Sequence, residues 1–178
     1  MNEFKLESYC GIYCGACEIM AAYRKGIAEN REAAWGDVPP PMNGMLPPAR
    51  PICHGCKTDT VFDGCARCPI RACAKQRGIA ESCVTCADFP CALYRGFRES
   101  SEIAALVEKL PHLKSTIKNL KAIRDRGMGQ WLAEQELLWK CPACGAPYSW
   151  YKTACAGCGK DLEPLKDYNT LCKEDLEI

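Results

Sequence analysis

Apolar residues recur at helical spacing in two parts of the chain and thin out between them. Near the N-terminus, Ile19, Ala22, Tyr23 and Ile27 share one helical face, which predicts a helix beginning near Cys14. A second short helix is expected over residues 28–35. In the C-terminal half, Ile103, Leu106, Val107 and Leu110 form a stripe, opened by a capping Ser100 or Ser101 and ended by Pro111. Leu113, Ile117, Leu120 and Ile123 form another, with Gly127 as terminator. Trp131, Leu132, Leu138 and Trp139 mark a third helix that runs into Cys141.

Between these parts the pattern changes. Residues 38–51 carry six prolines, a density that rules out helix or central strand and reads as a surface loop. Residues 52–94 offer few apolar side chains beyond Val61, Phe62, Ile70, Ile79, Val84, Phe89 and Leu93. Such a segment has a thin core of its own, so bound metal is expected to supply much of its folding energy. No stretch reaches the roughly 18 apolar residues that cross a bilayer. Residues 1–7 lack the basic-then-apolar pattern of a secretory leader, and a cytoplasmic setting is expected.

Composition sharpens the picture. The chain has 178 residues, of which 16 are cysteine, a share that in a short chain signals disulfides or metal thiolates. In a reducing compartment paired cysteines hold metal. Two residues separate Cys14/Cys17, Cys53/Cys56, Cys65/Cys68, Cys83/Cys86, Cys141/Cys144 and Cys155/Cys158, the spacing of a metal knuckle. The formal charge of +1 counts thiols as neutral. Each zinc on four thiolates lowers it by two, so three such sites make the holoprotein acidic. That places nucleic acid last among partners, and it makes the run of Lys114, Lys118, Lys121 and Arg124 a solvated helix face.

The strongest motif is Cys141-Pro-Ala-Cys144-Gly, followed after ten residues by Cys155-Ala-Gly-Cys158-Gly. Glycine after the second cysteine can take positive φ, which turns backbone N–H groups toward the sulfurs while four thiolates close a tetrahedron. Four ligands leave no open position, so the site is structural, and zinc is expected over iron. Tyr148, Trp150 and Tyr151 lie between the knuckles and are expected to pack on the helix ending at Trp139.

Upstream, Cys53, Cys56, Cys65 and Cys68 make one four-thiolate set in chain order, and Cys73, Cys83, Cys86 and Cys91 another; interleaved pairing stays open. The first loop offers Cys10, Cys14 and Cys17, three thiolates that need a distant fourth ligand or leave a position open. This spacing also binds a [4Fe–4S] cluster in radical enzymes that use S-adenosylmethionine, but the chain lacks the alternating strands and helices of their barrel. Cys172 stands outside every cluster and could supply the missing thiol. His54 reads as a bystander within its knuckle and His112 as a surface residue.

Tyr9-Cys-Gly-Ile-Tyr-Cys14-Gly-Ala-Cys17, Cys53-His-Gly-Cys56, Cys65-Ala-Arg-Cys68-Pro-Ile-Arg-Ala-Cys73 and Cys83-x2-Cys86-Ala-Asp-Phe-Pro-Cys91 together resemble an uncharacterised bacterial and archaeal family, domain of unknown function 3795. The resemblance spans roughly residues 7–97 and rests on an ordered series of eleven cysteines. Trp131-Leu-Ala-Glu-Gln-Glu136 leading into the last knuckles looks like the longer form of that family. The resemblance implies metal binding in a prokaryotic cytoplasm and no particular reaction.

The expected fold is a small irregular α-rich metal-stabilised protein. A cysteine-rich domain occupies residues 7–97, a helical connector 98–140, a zinc ribbon 141–163 and a tail 164–178. Three or four zinc ions are expected, with iron or a [4Fe–4S] cluster as the alternative in the first loop. The expected role is binding or scaffolding with a protein partner rather than catalysis. Its rivals are an iron–sulfur or redox protein and a metal-dependent enzyme or metal carrier working at Cys10, Cys14 and Cys17.

Overall fold

A computed structural model describes residues 3–46 and 48–163. It is helix-rich, and among the described residues extended pairing is confined to isolated bridges. Cys172 lies outside the described residues.

The first loop turns through Cys14–Ala16 into α1, Glu18–Ala28. This helix buries Ile19 and Ala22, as the apolar spacing predicts, and Met20 besides, but leaves Tyr23 half-buried and Ile27 exposed. The helix expected over residues 28–35 is not formed. Asn30 takes a left-handed φ of 52° and the Arg31 amide bonds back to the Gly26 carbonyl at 2.9 Å, which reverses the chain. Arg31 then clamps Asp37 with both terminal nitrogens at 2.7 Å. The proline-rich stretch also departs from a plain surface loop. It contains a single helical turn, α2 (Met42–Met45), and it buries Val38 and Met42. Two apolar anchors are enough to pin a segment that its prolines already restrict.

Short helices α3 (Asp63–Ala66), α4 (Pro69–Gln76) and α5 (Ala92–Glu99) follow the knuckles. Helix α6 (Ser101–Lys109) starts where Ser100 Oγ accepts the Ile103 amide, and Pro111 opens the turn that stops it. Helix α7 (Thr116–Arg126) ends at Gly127, with φ of 85°, and α8 (Met128–Leu138) leads into Cys141.

One core joins these parts. Ile19 and Met20 of α1, Ile70 of α4, Tyr94 of α5, Leu120 and Ile123 of α7 and Trp131 of α8 are buried together. The thin apolar content of residues 52–94 is therefore supplemented by helices far along the chain. Tyr13 meets the Trp131 ring edge-on at 6.1 Å, and Asn119 Nδ2 donates to the Gly11 carbonyl at 2.7 Å. Both contacts pin the first cysteine loop to α7 and α8.

Candidate metal centre

The C-terminal module consists of two copies of one turn. In the first, the Cys141 amide donates to the Ala146 carbonyl and the Gly145 amide returns to the Cys141 carbonyl, at 2.9 and 2.8 Å. In the second, Cys155 pairs with Lys160 and Gly159 with Cys155, each at 2.9 Å. Gly145 and Gly159 take φ of 72° and 74°, the left-handed conformation that the Cys-x2-Cys-Gly pattern requires. The four sulfurs converge: Cys141 to Cys158 is 3.7 Å, Cys144 to Cys155 is 3.5 Å, and all four lie within 4.8 Å of one another. A tetrahedron with metal–sulfur bonds of 2.3 Å has edges of about 3.8 Å, so the donor set fits one ion. Cys141 and Cys155 are buried with Tyr148 and Leu162, while Cys144 and Cys158 face outward.

Electrostatics at this group favour a bound cation. Burial works against the Cys141 thiolate, but the amides of Ala143 and Cys144 and the thiols of Cys155 and Cys158 outweigh it and draw the thiol down to about 6. Cys144 receives the Ala146 amide, yet its neighbours Cys155, Cys158 and Cys141 drive it up to about 12. Four sulfurs this close cannot all ionise without a cation between them.

The module is tied to the first cysteine loop. Trp150 N donates to the Ala16 carbonyl at 3.1 Å. Glu18, fully buried directly after Cys17, takes the Tyr151 amide at 2.6 Å and the Ser149 hydroxyl. No spacing rule marks Glu18, because its partners lie over 130 residues away. Of the three aromatics between the knuckles, Tyr148 packs edge-on against Trp139 as expected, whereas Trp150 and Tyr151 turn toward His112.

In the N-terminal unit the first loop runs between two knuckles. On one side the Lys5 amide donates to the His54 carbonyl at 2.8 Å, the Cys56 amide favours the Cys14 thiolate, and the Tyr9 amide favours that of Cys56. On the other, the Cys83 amide donates to the Tyr9 carbonyl at 2.8 Å. The described cysteines form no disulfide. A family model described as a protein of unknown function (DUF3795) matches residues 6–96. The chain belongs to this family. No curated protein and no solved structure matches the chain.

Within the DUF3795 unit, three helices begin immediately after a cysteine: Cys17 before α1, Cys68 before α4 and Cys91 before α5. Helix N-termini offer free amides and a favourable dipole to a thiolate. Burial nevertheless dominates. It pushes Cys17 up to about 12 against the Met20 and Ile19 amides, and it carries Cys14 well above the usual thiol range. Cys56 and Cys83 also rise to about 12, from burial first and neighbouring sulfurs next. These thiols stay protonated near neutrality unless a metal replaces the protons, so loading must release protons.

Some of the sulfurs that influence one another cross the chain order, and others follow it. Cys14 feels Cys56, Cys17 and Cys65; Cys17 feels Cys53; Cys10 feels Cys68; and Cys83 feels Cys10, Cys91, Cys73 and Cys86. Polar partners that the sequence did not single out surround them. Ser8 Oγ lies 3.4 Å from the Cys10 sulfur, Arg77 Nη1 lies 3.6 Å from Cys86, and Arg71 holds the Cys56 and Thr58 carbonyls at 2.8 Å. His54 is buried beside Phe4 and Tyr23.

His112 corrects the sequence reading. It is buried, not superficial, stacked at 3.6 Å on Trp150 and hydrogen-bonded to the Tyr151 hydroxyl. Burial lowers its pKa to about 3. An unfolded histidine titrates near 6.5, so the neutral ring stabilises the fold above that pH and the contribution is lost as pH falls toward 3. At pH 5 the loss is about 2 kcal/mol. His112→Phe should reduce by that amount the drop in unfolding free energy between pH 7.5 and 5, measured with urea. An unchanged drop would remove His112 as its source.

Proposed function

We propose that this protein is a structural metalloprotein, with zinc closing the C-terminal ribbon, that acts as a binding or scaffolding module for a protein partner. The observation that carries the reading is the convergence of Cys141, Cys144, Cys155 and Cys158 within 4.8 Å. Four thiolates complete a tetrahedral shell and leave no position for a water or substrate, which is the structural rather than the catalytic arrangement. The closed all-sulfur set also suits zinc. Burial of Glu18 against Ser149 and Tyr151 makes the ribbon a brace on the cysteine loop. Beside it, α8 exposes Leu137 and Leu138, apolar surface that a partner protein could cover.

Cobalt substitution tests the closed shell. The ribbon loaded with Co(II) should show tetrahedral thiolate absorption that azide or imidazole leaves unchanged. A spectrum altered by either ligand overturns the structural reading in favour of a metal with an open position. For the partner, a photo-crosslinker at position 137 should give one discrete protein adduct in cells, and its absence counts against the scaffolding role.

A further inference from the structure

We propose that this protein binds a small carboxylic acid with a short aliphatic tail, in a cavity bordered by α4, α5, α6 and the start of α7. The site is separate from the ribbon.

The cavity measures about 110 Å³ and is lined almost wholly by apolar atoms, among them those of Ile70 on α4, Phe97 on α5 and Leu113. An apolar cavity of about 150 Å³ takes a guest the size of benzene, so this one suits a tail of about four to six carbons. Helix α6 points to the same guest. Its apolar stripe of Ile103, Leu106 and Val107 lines the cavity, and the helix has no fully buried residue. An amphipathic helix is ordinarily held by burying such a stripe in the core. A tail bound in the cavity supplies the contacts this stripe otherwise forgoes.

Polar groups are confined to one part of the lining. Tyr94 and Arg98 stand one turn apart on α5, and both line the cavity. Tyr94 is only 3% exposed, and its hydroxyl is buried without a hydrogen-bond partner. A buried hydroxyl left unpaired is costly, which marks a position for a ligand atom. Thr116, also in the lining, is already engaged: its hydroxyl accepts from Arg98 Nη1 and donates to the Leu113 carbonyl. Among the lining residues Arg98 alone is charged, so no carboxylate of the protein balances it there. A guanidinium and a phenol hydroxyl together offer donors to both oxygens of a carboxylate. The apolar remainder disfavours phosphates and sugars, whose many polar atoms would go unpaired.

The test uses the full-length, metal-loaded protein, because Cys10 and Cys68 also border the cavity. Pentanoate should bind in a ligand-observed NMR titration and slow amide hydrogen exchange in residues 101–109. 1-Pentanol keeps the tail without the charge and should bind about tenfold more weakly, as expected for the loss of a charge-assisted hydrogen bond. Acetate keeps the head without the tail and should not bind. Arg98→Met should weaken pentanoate about tenfold and leave 1-pentanol unchanged. Leu106→Trp, which fills the cavity, should abolish binding of both. Failure of butanoate, pentanoate and hexanoate alike to bind overturns the proposal. Equal affinity for 1-pentanol and pentanoate overturns the carboxylate assignment. Equal affinity for acetate overturns the cavity as the site, as does exchange protection that spares α6. The wild-type comparisons decide on their own where a variant fails to fold.

Discussion

A Cys155→Ser variant should carry one metal ion fewer per chain than the wild type and lose the fold of residues 141–163. Cys155 is buried at the centre of the module, and its amide and carbonyl close the second knuckle. The module's own apolar core is small, with Tyr148 and Leu162 as its buried side chains beside two cysteines. Structural zinc contributes an apparent 10–16 kcal/mol in small domains, roughly, and a core this size cannot replace it. Elemental analysis with limited proteolysis reads both effects. Equal metal content in variant and wild type would sink the assignment.

Glu18→Ala should destabilise the protein by about 3 kcal/mol, and Glu18→Gln by about 1 kcal/mol. Alanine leaves the Tyr151 amide and the Ser149 hydroxyl without their carboxylate acceptor in a buried site. Hydrogen bonds to a charged group are each about 1.5–3 kcal/mol, and relaxation recovers part of the loss. Glutamine keeps one acceptor oxygen for the Tyr151 amide and forfeits the charge. Urea unfolding followed by far-ultraviolet circular dichroism measures both. The reading fails if alanine costs under about 0.5 kcal/mol, the range of an ordinary surface change.

How much of this was legible in the sequence depended on distance along the chain. The ribbon turns were readable because ligands, glycines and backbone bonds all lie within a few residues. The same holds for Ser100, which caps α6 through an amide three positions on. The error at residues 28–35 was also local: helical composition lost to a left-handed Asn30 and to the Arg31–Asp37 clamp. What stayed hidden was long-range. His112 looked superficial because Trp150 and Tyr151, which bury it, lie nearly forty residues away. Cysteine spacing announced that thiolates would meet without saying which, since the first loop reaches two knuckles through backbone bonds that no spacing encodes.

The buried carboxylate beside the first cysteines has a consequence for how the protein is made. A ribosome delivers Glu18 long before Ser149 and Tyr151, so these two of its buried hydrogen bonds form only after the ribbon has been made. The first cysteine loop therefore reaches its full set of contacts only after residues 149–151 have been made, more than 130 residues after Glu18.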